Sequence, residues 1–337
     1  HGEIAYGNAI GSVICNAALI AAITIAVRPG KVDPKTLKTP VAFFFAAAAI
    51  YCAAAYVFGR FTRVMGIIML AMFVAYMVVN VLQMKNTPAE AGKGVDTLIL
   101  MVFSPDQIRD VLFGPNGAAT EMKAGSTVII TASVGYQICE EVEQKLSPLH
   151  IHLVDTPVRG TAQTSATGEL YLMVGASDEA YAASEELLHD MGSEIVRVGK
   201  KAGMGQKAKT CMQAFFSLMF EGTCELLALG TASGLDPKDV YNILNDTSAA
   251  NGIFRATAKN VAQRRFTDTG NPLSILDKDM KIACATAKDF GLTLPALEGI
   301  SVGFDNSMKS YATEDVWAAM KGIEDQTGLC VQFDFPE

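Results

Sequence analysis

Three long runs without a charged side chain lie near the start of the chain, at residues 9–27, 41–59 and 64–84. A helix needs about 20 apolar residues to cross a hydrocarbon core of roughly 30 Å, and each run approaches or meets that length. Core helices of soluble proteins rarely stay uncharged on every face for so long. The pattern therefore predicts three transmembrane helices within residues 1–85, with membrane lipid around residues 9–84. Three buried helices of a soluble core are the alternative.

Basic side chains are more numerous between the first two runs than between the second and third: Arg28, Lys31, Lys35 and Lys38 against Arg60 and Arg63. Because basic loops are retained in the cytoplasm, this difference places residues 28–39 on the cytoplasmic side. Three crossings then place everything after Lys85 in the cytoplasm as well. The predicted localisation is the membrane, with a cytoplasmic second part.

A different pattern follows residues 86–94, which are small, polar and rich in breakers and predict a linker. Short apolar runs of the buried parallel-strand type now alternate with helical patterns. The strands are predicted at Thr97–Val102, Thr127–Thr131 and Ile151–Val154, and the helices at Pro105–Phe113 and Gln137–Leu146. This alternation predicts a Rossmann-like α/β domain over residues 95–198.

The remaining chain shows helical patterns without a comparable strand signal. Residues 206–233 predict one long helix that ends at Gly234, and Asp236-Pro237 has the N-cap and first-turn residues of the next helix. Further helices are predicted at residues 274–290, 296–308 and 313–324. The fold class is therefore mixed: three transmembrane α-helices, a truncated α/β Rossmann-like domain, and an all-helical domain over residues 199–337.

Charge and composition exclude some functions of the second part. The chain has a net charge of -8, and nearly all its acidic residues lie from Glu90 onward, without a cluster of lysine and arginine. Nucleic acid is therefore not a predicted partner. The 7 cysteines and 4 histidines lack the spacing of metal ligands, so no metal site is predicted either.

A complete dinucleotide-binding domain begins with a strand that runs into a GxGxxG loop, whose backbone amides approach the cofactor pyrophosphate. Gly92-Lys93-Gly94 lacks the third glycine and precedes a strand. Gly203-Met204-Gly205 comes too late in the chain and leads into the long helix. The sequence therefore predicts an α/β domain without its cofactor-phosphate loop, which is why we call this domain truncated.

Several spaced motifs nevertheless lie in a recognisable order: Asp155-Thr156-Pro157-Val158-Arg159-Gly160, Gly168, Gly203-x-Gly205-x-x-x-Lys209 and Lys278-Asp279. Over residues 95 to about 325 this set resembles the β-hydroxyacid dehydrogenase family, the relatives of 3-hydroxyisobutyrate dehydrogenase. The segment from Met101 to Ala118 is most similar to the L-threonate dehydrogenase branch. The resemblance implies hydride transfer between a small hydroxy acid and NAD or NADP, and a homo-oligomer through the helical domain.

The resemblance also implies roles for single residues. Lys209 is implied as the catalytic proton-transfer residue, and Ser133 and Lys278 as cofactor-binding residues. The implied substrate-binding residues are Asp155, Pro157, Arg159, Gly160, Gly168 and Gln213. Two of these depart from the family: Arg159 replaces the first residue of a Ser-Gly-Gly loop, and Gln213 stands beside Met212, which replaces an asparagine. An arginine binds carboxylates as a bidentate fork, so we expect a changed substrate preference.

Polar residues in the first apolar run form another motif. Asn8, Ser12 and Asn16 recur every four residues and share one helical face, beside a close-packing Gly7-x-x-x-Gly11 spacing. The string from Gly2 to Asn16 resembles the second part of the first conserved repeat of bacterial sodium/calcium exchangers, in which this face helps line the cation site. The resemblance implies that these three residues are the remnant of an ion path.

We expect no ion transport, because such transporters form their site between two repeats and this chain holds only part of one. The function predicted from the sequence is an NAD(P)-dependent hydroxy-acid oxidoreductase fused to a truncated exchanger segment. We expect it to be inactive, since the cofactor loop is missing, and to originate as an artefactual fusion of two gene fragments. An exchanger-like membrane transport fragment is the alternative.

Overall fold

The computed structural model describes residues 34–53, 56, 62–84, 87–160 and 162–336. The chain divides into two compact units, residues 1–86 and 87–337. Within the first unit, helices α1 (Pro34–Cys52) and α2 (Arg63–Met84) pack against each other, with the rings of Phe43 and Tyr76 5.3 Å apart. The first predicted span and the residues Asn8, Ser12 and Asn16 lie outside the described residues.

Helix α1 has 19 residues and α2 has 22, and the stretches Val41–Cys52 and Arg63–Tyr76 within them are apolar. Among the described residues, one helix is long and apolar enough to cross a membrane, Met204–Ala232 in the second unit, and 39% of its most apolar stretch is buried within the protein. Length and hydropathy do not separate such a core helix from a membrane span. The three predicted transmembrane helices therefore remain a prediction.

The second unit begins with a short helix, α3 (Thr87–Gly92), in the segment predicted to be a linker. This helix packs on a 3-10 turn, Ala118–Thr120, and the Gly92 backbone lies against the carbonyl group of Ala118. A side chain at position 92 would collide with that carbonyl. The short helix is thus packed on the α/β domain, although its small residues resemble those of a linker.

The α/β domain contains a six-stranded sheet. Its strands are β1 (Thr97–Leu100), β2 (Thr127–Ile130), β3 (His152–Asp155), β4 (Val158–Arg159), β5 (Leu170–Ala176) and β6 (Gly192–Gly199). The first three strands are parallel neighbours, β5 runs antiparallel to β3 and β4, and β6 pairs in parallel with β5. The other edge of β1 pairs with no strand in the described part of the chain. The predicted α/β class is confirmed.

Four helices accompany this sheet: α4 (Pro105–Phe113), α5 (Tyr136–Leu146), α6 (Ala162–Ala166) and α7 (Asp178–Met191). A capping box fixes the start of α4, because the Ser104 hydroxyl accepts from the Gln107 amide at 3.3 Å while the Gln107 side chain accepts from the Ser104 amide at 3.2 Å. Ile108 and Leu112 of this helix are fully buried with Ile130 of β2. The apolar core of this domain consists of two clusters, one around Ile108, Leu112 and Ile130 and the other around Ile129, Val154 and Leu188.

The helical domain follows as α8 (Met204–Ala232), α9 (Pro237–Asn245), α10 (Gly252–Ala262), α11 (Leu273–Asp289), α12 (Pro295–Tyr311) and α13 (Ala319–Thr327). Its long first helix ends before Gly234, which has a φ of +89°, and the Asp236 carboxylate caps α9 as predicted. The helix predicted at residues 313–324 starts later than expected. The residues before α13 are held by Thr269, whose amide donates to the Asp315 carboxylate and whose hydroxyl accepts from the Trp317 indole.

Candidate active site

A cavity of about 460 Å³ lies between the sheet and the helical domain. It opens where the parallel strands β1 and β2 end, which is where α/β sheets bind their ligands. Its polar wall consists of Ser133, Arg159, Lys209, Gln213, Lys278 and Asp279. Apolar side chains such as Phe103, Phe216 and Leu276 form much of the remaining wall. Three cationic side chains against one carboxylate favour an anionic ligand.

Lys209 stands on the second turn of α8 and is only 8% exposed. Its Nζ donates a hydrogen bond to the Val158 carbonyl oxygen at 2.9 Å. Burial lowers the pKa of Lys209 from 10.5 to about 8, against the opposing effect of the nearby Asp279 carboxylate. An amine with this pKa can exchange a proton near neutral pH, as a general base must.

Lys278, Asp279 and Gln213 form a second polar group on the same wall. The Lys278 Nζ donates to the Ser133 carbonyl oxygen at 2.6 Å and lies 3.0 Å from the Asp279 Oδ1. The Gln213 Nε2 donates to the other carboxylate oxygen of Asp279 at 2.6 Å. Asp279 thus has a hydrogen bond at one oxygen and an ion-pair contact at the other, which has no hydrogen-bond partner among the described residues. Asp279, which is 4% exposed, was not predicted as a site residue, although it stands in the Lys278-Asp279 motif and that position beside a site lysine is a usable signal.

Gln206 was also missed, and it joins the start of α8 to the sheet. Its side-chain oxygen accepts from the Val134 and Gly135 amides at 3.0 and 3.3 Å. Its Nε2 donates to the Ala132 carbonyl at 2.9 Å and to the Asp155 carboxylate at 2.8 Å. Burial raises the pKa of Asp155 to about 6 against the effect of these bonds. The segment that carries Ser133 is therefore attached to the helix that carries Lys209.

The structure separates the predicted substrate-loop residues. Arg159 and Gly160 lie on the cavity wall, and the Arg159 guanidinium stacks over the Tyr171 ring at 4.6 Å from its centroid. Asp155 and Pro157 are buried behind the wall, against the backbone of the α8 start. Gly168 has a φ of +69°, in the turn that leads into β5, and does not line the cavity.

A nicotinamide group would fit one end of this cavity. Met101 and Phe103 follow β1 and are 69% and 61% exposed, so an aromatic ring beside Ser133 and Lys278 would cover apolar surface. The described residues offer no comparable binding site for the phosphates of a dinucleotide. The chain has no GxGxxG loop, and β1 has no described neighbour on its outer edge. The residues present therefore fit the nicotinamide end alone.

Known protein families match three parts of the sequence. The NAD binding domain of 6-phosphogluconate dehydrogenase matches residues 69–199, and the NAD-binding domain of NADP-dependent 3-hydroxyisobutyrate dehydrogenase matches residues 203–321. The sodium/calcium exchanger protein family matches residues 1–82. Both predicted resemblances are confirmed, and the first match begins earlier than the predicted boundary at residue 95.

Individual relatives support the dehydrogenase matches. An L-threonate dehydrogenase of Cupriavidus necator is 30% identical over 212 residues, which cover 62% of this chain and 70% of the relative. An L-threonate dehydrogenase of Haemophilus influenzae is 27% identical over 67% of this chain and 75% of its own length. The crystal structure of 3-hydroxyisobutyrate dehydrogenase from Salmonella typhimurium superimposes with a TM-score of 0.60 at 26% identity, covering 68% of this chain and 80% of that one.

Proposed function

Because the chain belongs to the β-hydroxyacid dehydrogenase family, we propose that its cavity is the site of a nicotinamide-dependent oxidation of a small hydroxy acid. The buried Lys209 amine on the cavity wall is the observation that carries this proposal. A nicotinamide, when bound, supplies the hydride acceptor. The relatives named above act on L-threonate and 3-hydroxyisobutyrate, and acids of this class are the proposed substrates.

Each charged side chain of the cavity has a separate role in the proposed oxidation. Removal of hydride from the carbinol carbon requires loss of the hydroxyl proton, which the neutral amine of Lys209 accepts. The resulting ammonium donates to the substrate oxygen and stabilises its negative charge. Asp279 neutralises Lys278, so Arg159 is left as the cation for the substrate carboxylate. Lys278 holds the Ser133 segment beside the nicotinamide end.

Hydroxy-acid-dependent reduction of the nicotinamide, followed by its absorbance, tests this proposal. We expect Lys209→Met to lower the rate by about 100-fold, because general base catalysis contributes at least that much. Lys207→Met is the matched control, since Lys207 lies on the same helix but pairs with Glu140 at 2.8 Å. We also expect NAD to bind no more than a few-fold better than nicotinamide mononucleotide. If NAD binds much more tightly than nicotinamide mononucleotide, the inference that the chain lacks a site for the dinucleotide phosphates is wrong. Equal reaction rates in the two lysine variants would refute the role of Lys209.

We propose further that residues 1–85 are a membrane segment with exchanger ancestry, joined to the dehydrogenase part by fusion of two gene fragments. The exchanger match over residues 1–82 and the apolar helices α1 and α2 support this origin. Neither ion transport nor full dehydrogenase activity is expected of such a fusion. Amplification of genomic DNA across the codons for residues 80–100 tests it, because one uninterrupted product would contradict an artefactual join and favour a membrane-anchored enzyme.

The helical domain is also the proposed site of self-association. Phe215, Leu226 and Leu229 of α8 are 55%, 49% and 62% exposed, which leaves an apolar surface along this helix. We expect the purified chain in detergent to form a dimer or larger oligomer, and Leu229→Glu to weaken it at least tenfold, since a buried charge without a partner is costly. Analytical ultracentrifugation checks this, with exposed Glu225→Gln as the control. A monomeric wild-type chain would contradict the proposal.

A further inference from the structure

The Lys209 amine has few partners for a buried cation. Its one side-chain hydrogen bond among the described residues is the bond to the Val158 carbonyl, and none of the described carboxylates lies within ion-pair distance. An ammonium has three donors, so two of them remain without a protein acceptor. A neutral amine needs fewer partners and also offers a lone pair. The surroundings therefore make the neutral, nucleophilic form of Lys209 more populated than in an ordinary lysine.

The charged groups that face this amine act in opposite directions. Lys278 and Arg159 are both cationic and disfavour a further positive charge at Nζ. Asp279 favours the charge and has the largest effect after burial, although its carboxylate also contacts Lys278 and Gln213. Burial has the largest effect on the pKa of Lys209, which it lowers to about 8. At pH 7 about a tenth of this amine is neutral, against roughly one part in 2,500 for an ordinary lysine.

We propose that Lys209 binds small aldehydes that carry a carboxylate, as a covalent imine. Arg159 and Lys209 both line the cavity, and the Lys209 Nζ bonds to the carbonyl of Val158, the residue before Arg159. A short molecule can therefore present its carboxylate to the Arg159 guanidinium, which stacks over the Tyr171 ring beside the cavity, and its carbonyl carbon to Lys209. A volume of about 460 Å³ accommodates such a molecule without displacement of the apolar wall. This activity needs no nicotinamide and does not depend on the proposed dehydrogenase function.

The reaction balances without an outside oxidant or reductant. The nitrogen lone pair attacks the aldehyde carbon and gives a carbinolamine, with the carbonyl oxygen becoming a hydroxyl group. Both hydrogens of the neutral amine end on that oxygen, which leaves as water when the carbon–nitrogen double bond forms. For an assay, cyanoborohydride delivers hydride to the imine carbon, and a proton from water completes a stable secondary amine.

Reductive labelling of the full chain with glyoxylate and cyanoborohydride at pH 7 tests the proposal. Fragmentation mass spectrometry assigns the added carboxymethyl group to single lysines. We expect Lys209 to be labelled at least tenfold faster than Lys207, which lies two residues away on the same helix and is paired with Glu140. Lys209→Met should abolish the fast phase, and Lys207→Met should retain it. Labelling of Lys209 no faster than that of Lys207 would overturn the proposal.

A comparison of two aldehydes tests whether the ligand must carry a carboxylate. Acetaldehyde lacks the carboxylate, so we expect it to label Lys209 at least tenfold more slowly than glyoxylate at equal concentration. Arg159→Met should remove most of this difference, while equal rates for both aldehydes in the wild-type chain would overturn the assignment of the ligand class. Buried Cys139 and Cys224 report on the fold of each variant, since they stay protected from thiol reagents only in a folded chain. If the wild-type chain shows no dehydrogenase activity but Lys209 is labelled fast, the proposed dehydrogenase function is refuted and the imine proposal is supported.

Discussion

Replacement of Gln206 by leucine is expected to raise the thiol-labelling rate of buried Cys139 by about 1,000-fold, through opening of the α/β domain. Cys139 lies on α5 and is fully buried in that domain. The rate at which a buried thiol reacts measures the population of open molecules. The Gln206 side chain makes four buried hydrogen bonds between α8 and the sheet, so its loss favours the open form.

The magnitude follows from the groups that leucine would leave unpaired. The amides of Val134 and Gly135 lose their acceptor, while the Ala132 carbonyl and the Asp155 carboxylate lose a donor. Each buried group without a partner costs about 1–3 kcal/mol. Relaxation recovers part of that cost, and about 4 kcal/mol in total corresponds to about 1,000-fold in population.

The same substitution at Gln213 is the matched control for this experiment. Gln213 lies two turns further along α8, is half-buried, and makes one side-chain bond, to Asp279. We expect Gln213→Leu to change the labelling of Cys139 by less than tenfold. Cys224 lies in the core of the helical domain and should react at its wild-type rate in both variants. Wild-type labelling of Cys139 in Gln206→Leu would mean that these bonds do not stabilise the closed form of the α/β domain.

Gln206 also illustrates where sequence reasoning stops. Local signals predict local structure well here: the strand at β2, the Asp236-Pro237 helix start and the Gly234 helix end all depend on residues that are adjacent in sequence. The role of Gln206 depends instead on partners 51 to 74 positions away. Nothing in the period or composition of the α8 sequence indicates which backbone groups its first turn will meet.

The sheet shows the same division between local and distant causes. The strand β5, which has 7 residues, is not among the strands predicted from the sequence. This strand pairs antiparallel with β3 and β4, and that order depends on the closure of the whole sheet. The resemblance assigns one substrate-binding role to the whole motif at residues 155–160. In the structure, the residues of this motif lie on different sides of the cavity wall. Arg159 lines the cavity while Asp155 lies behind it, because contacts decide which residues of a loop face a ligand.

A second buried carboxyl leads to a pH-dependent prediction for the helical domain. Glu221 of α8 is 2% exposed, and its Oε2 has no hydrogen-bond partner among the described residues. The backbone of α12 at Gly303 lies against its other oxygen. Burial, with a smaller effect of Glu225, raises the pKa of Glu221 from 4.5 to about 7. The folded chain therefore holds a proton here that the unfolded chain loses at lower pH.

The sign of the effect follows from proton linkage. Below about pH 4.5 the carboxyl is protonated in both states and contributes no difference. As the pH rises towards 7, the unfolded state gains an ionised, hydrated carboxylate that the folded state cannot match, so the stability of the folded state falls. A rise from 4.5 to about 7 corresponds to about 3 kcal/mol once both states are ionised. Glutamine has no such charge and should be free of this loss.

Glu221→Gln is therefore expected to stabilise the helical domain, and to do so more at high pH. Cys224 lies three residues further along α8 at 1% exposure and reports the opening of this domain. We expect the variant to slow the labelling of Cys224 by about tenfold at pH 5.5 and by more than 100-fold at pH 8.5. The ratio between variant and wild type at each pH removes the intrinsic pH dependence of thiol reactivity.

Exposed Glu225 supplies the matched control for this substitution, since it lies one turn away on the same helix and has the same charge. Glu225→Gln should change the Cys224 rate by less than threefold at either pH, because a surface charge contributes little to stability. Cys139 should be unaffected by both variants, as it reports on the α/β domain. A Glu221→Gln effect that is equal at pH 5.5 and 8.5 would show that packing, and not ionisation, explains the change. The carboxyl would then be buried at no electrostatic cost, contrary to the inference from its unpaired oxygen.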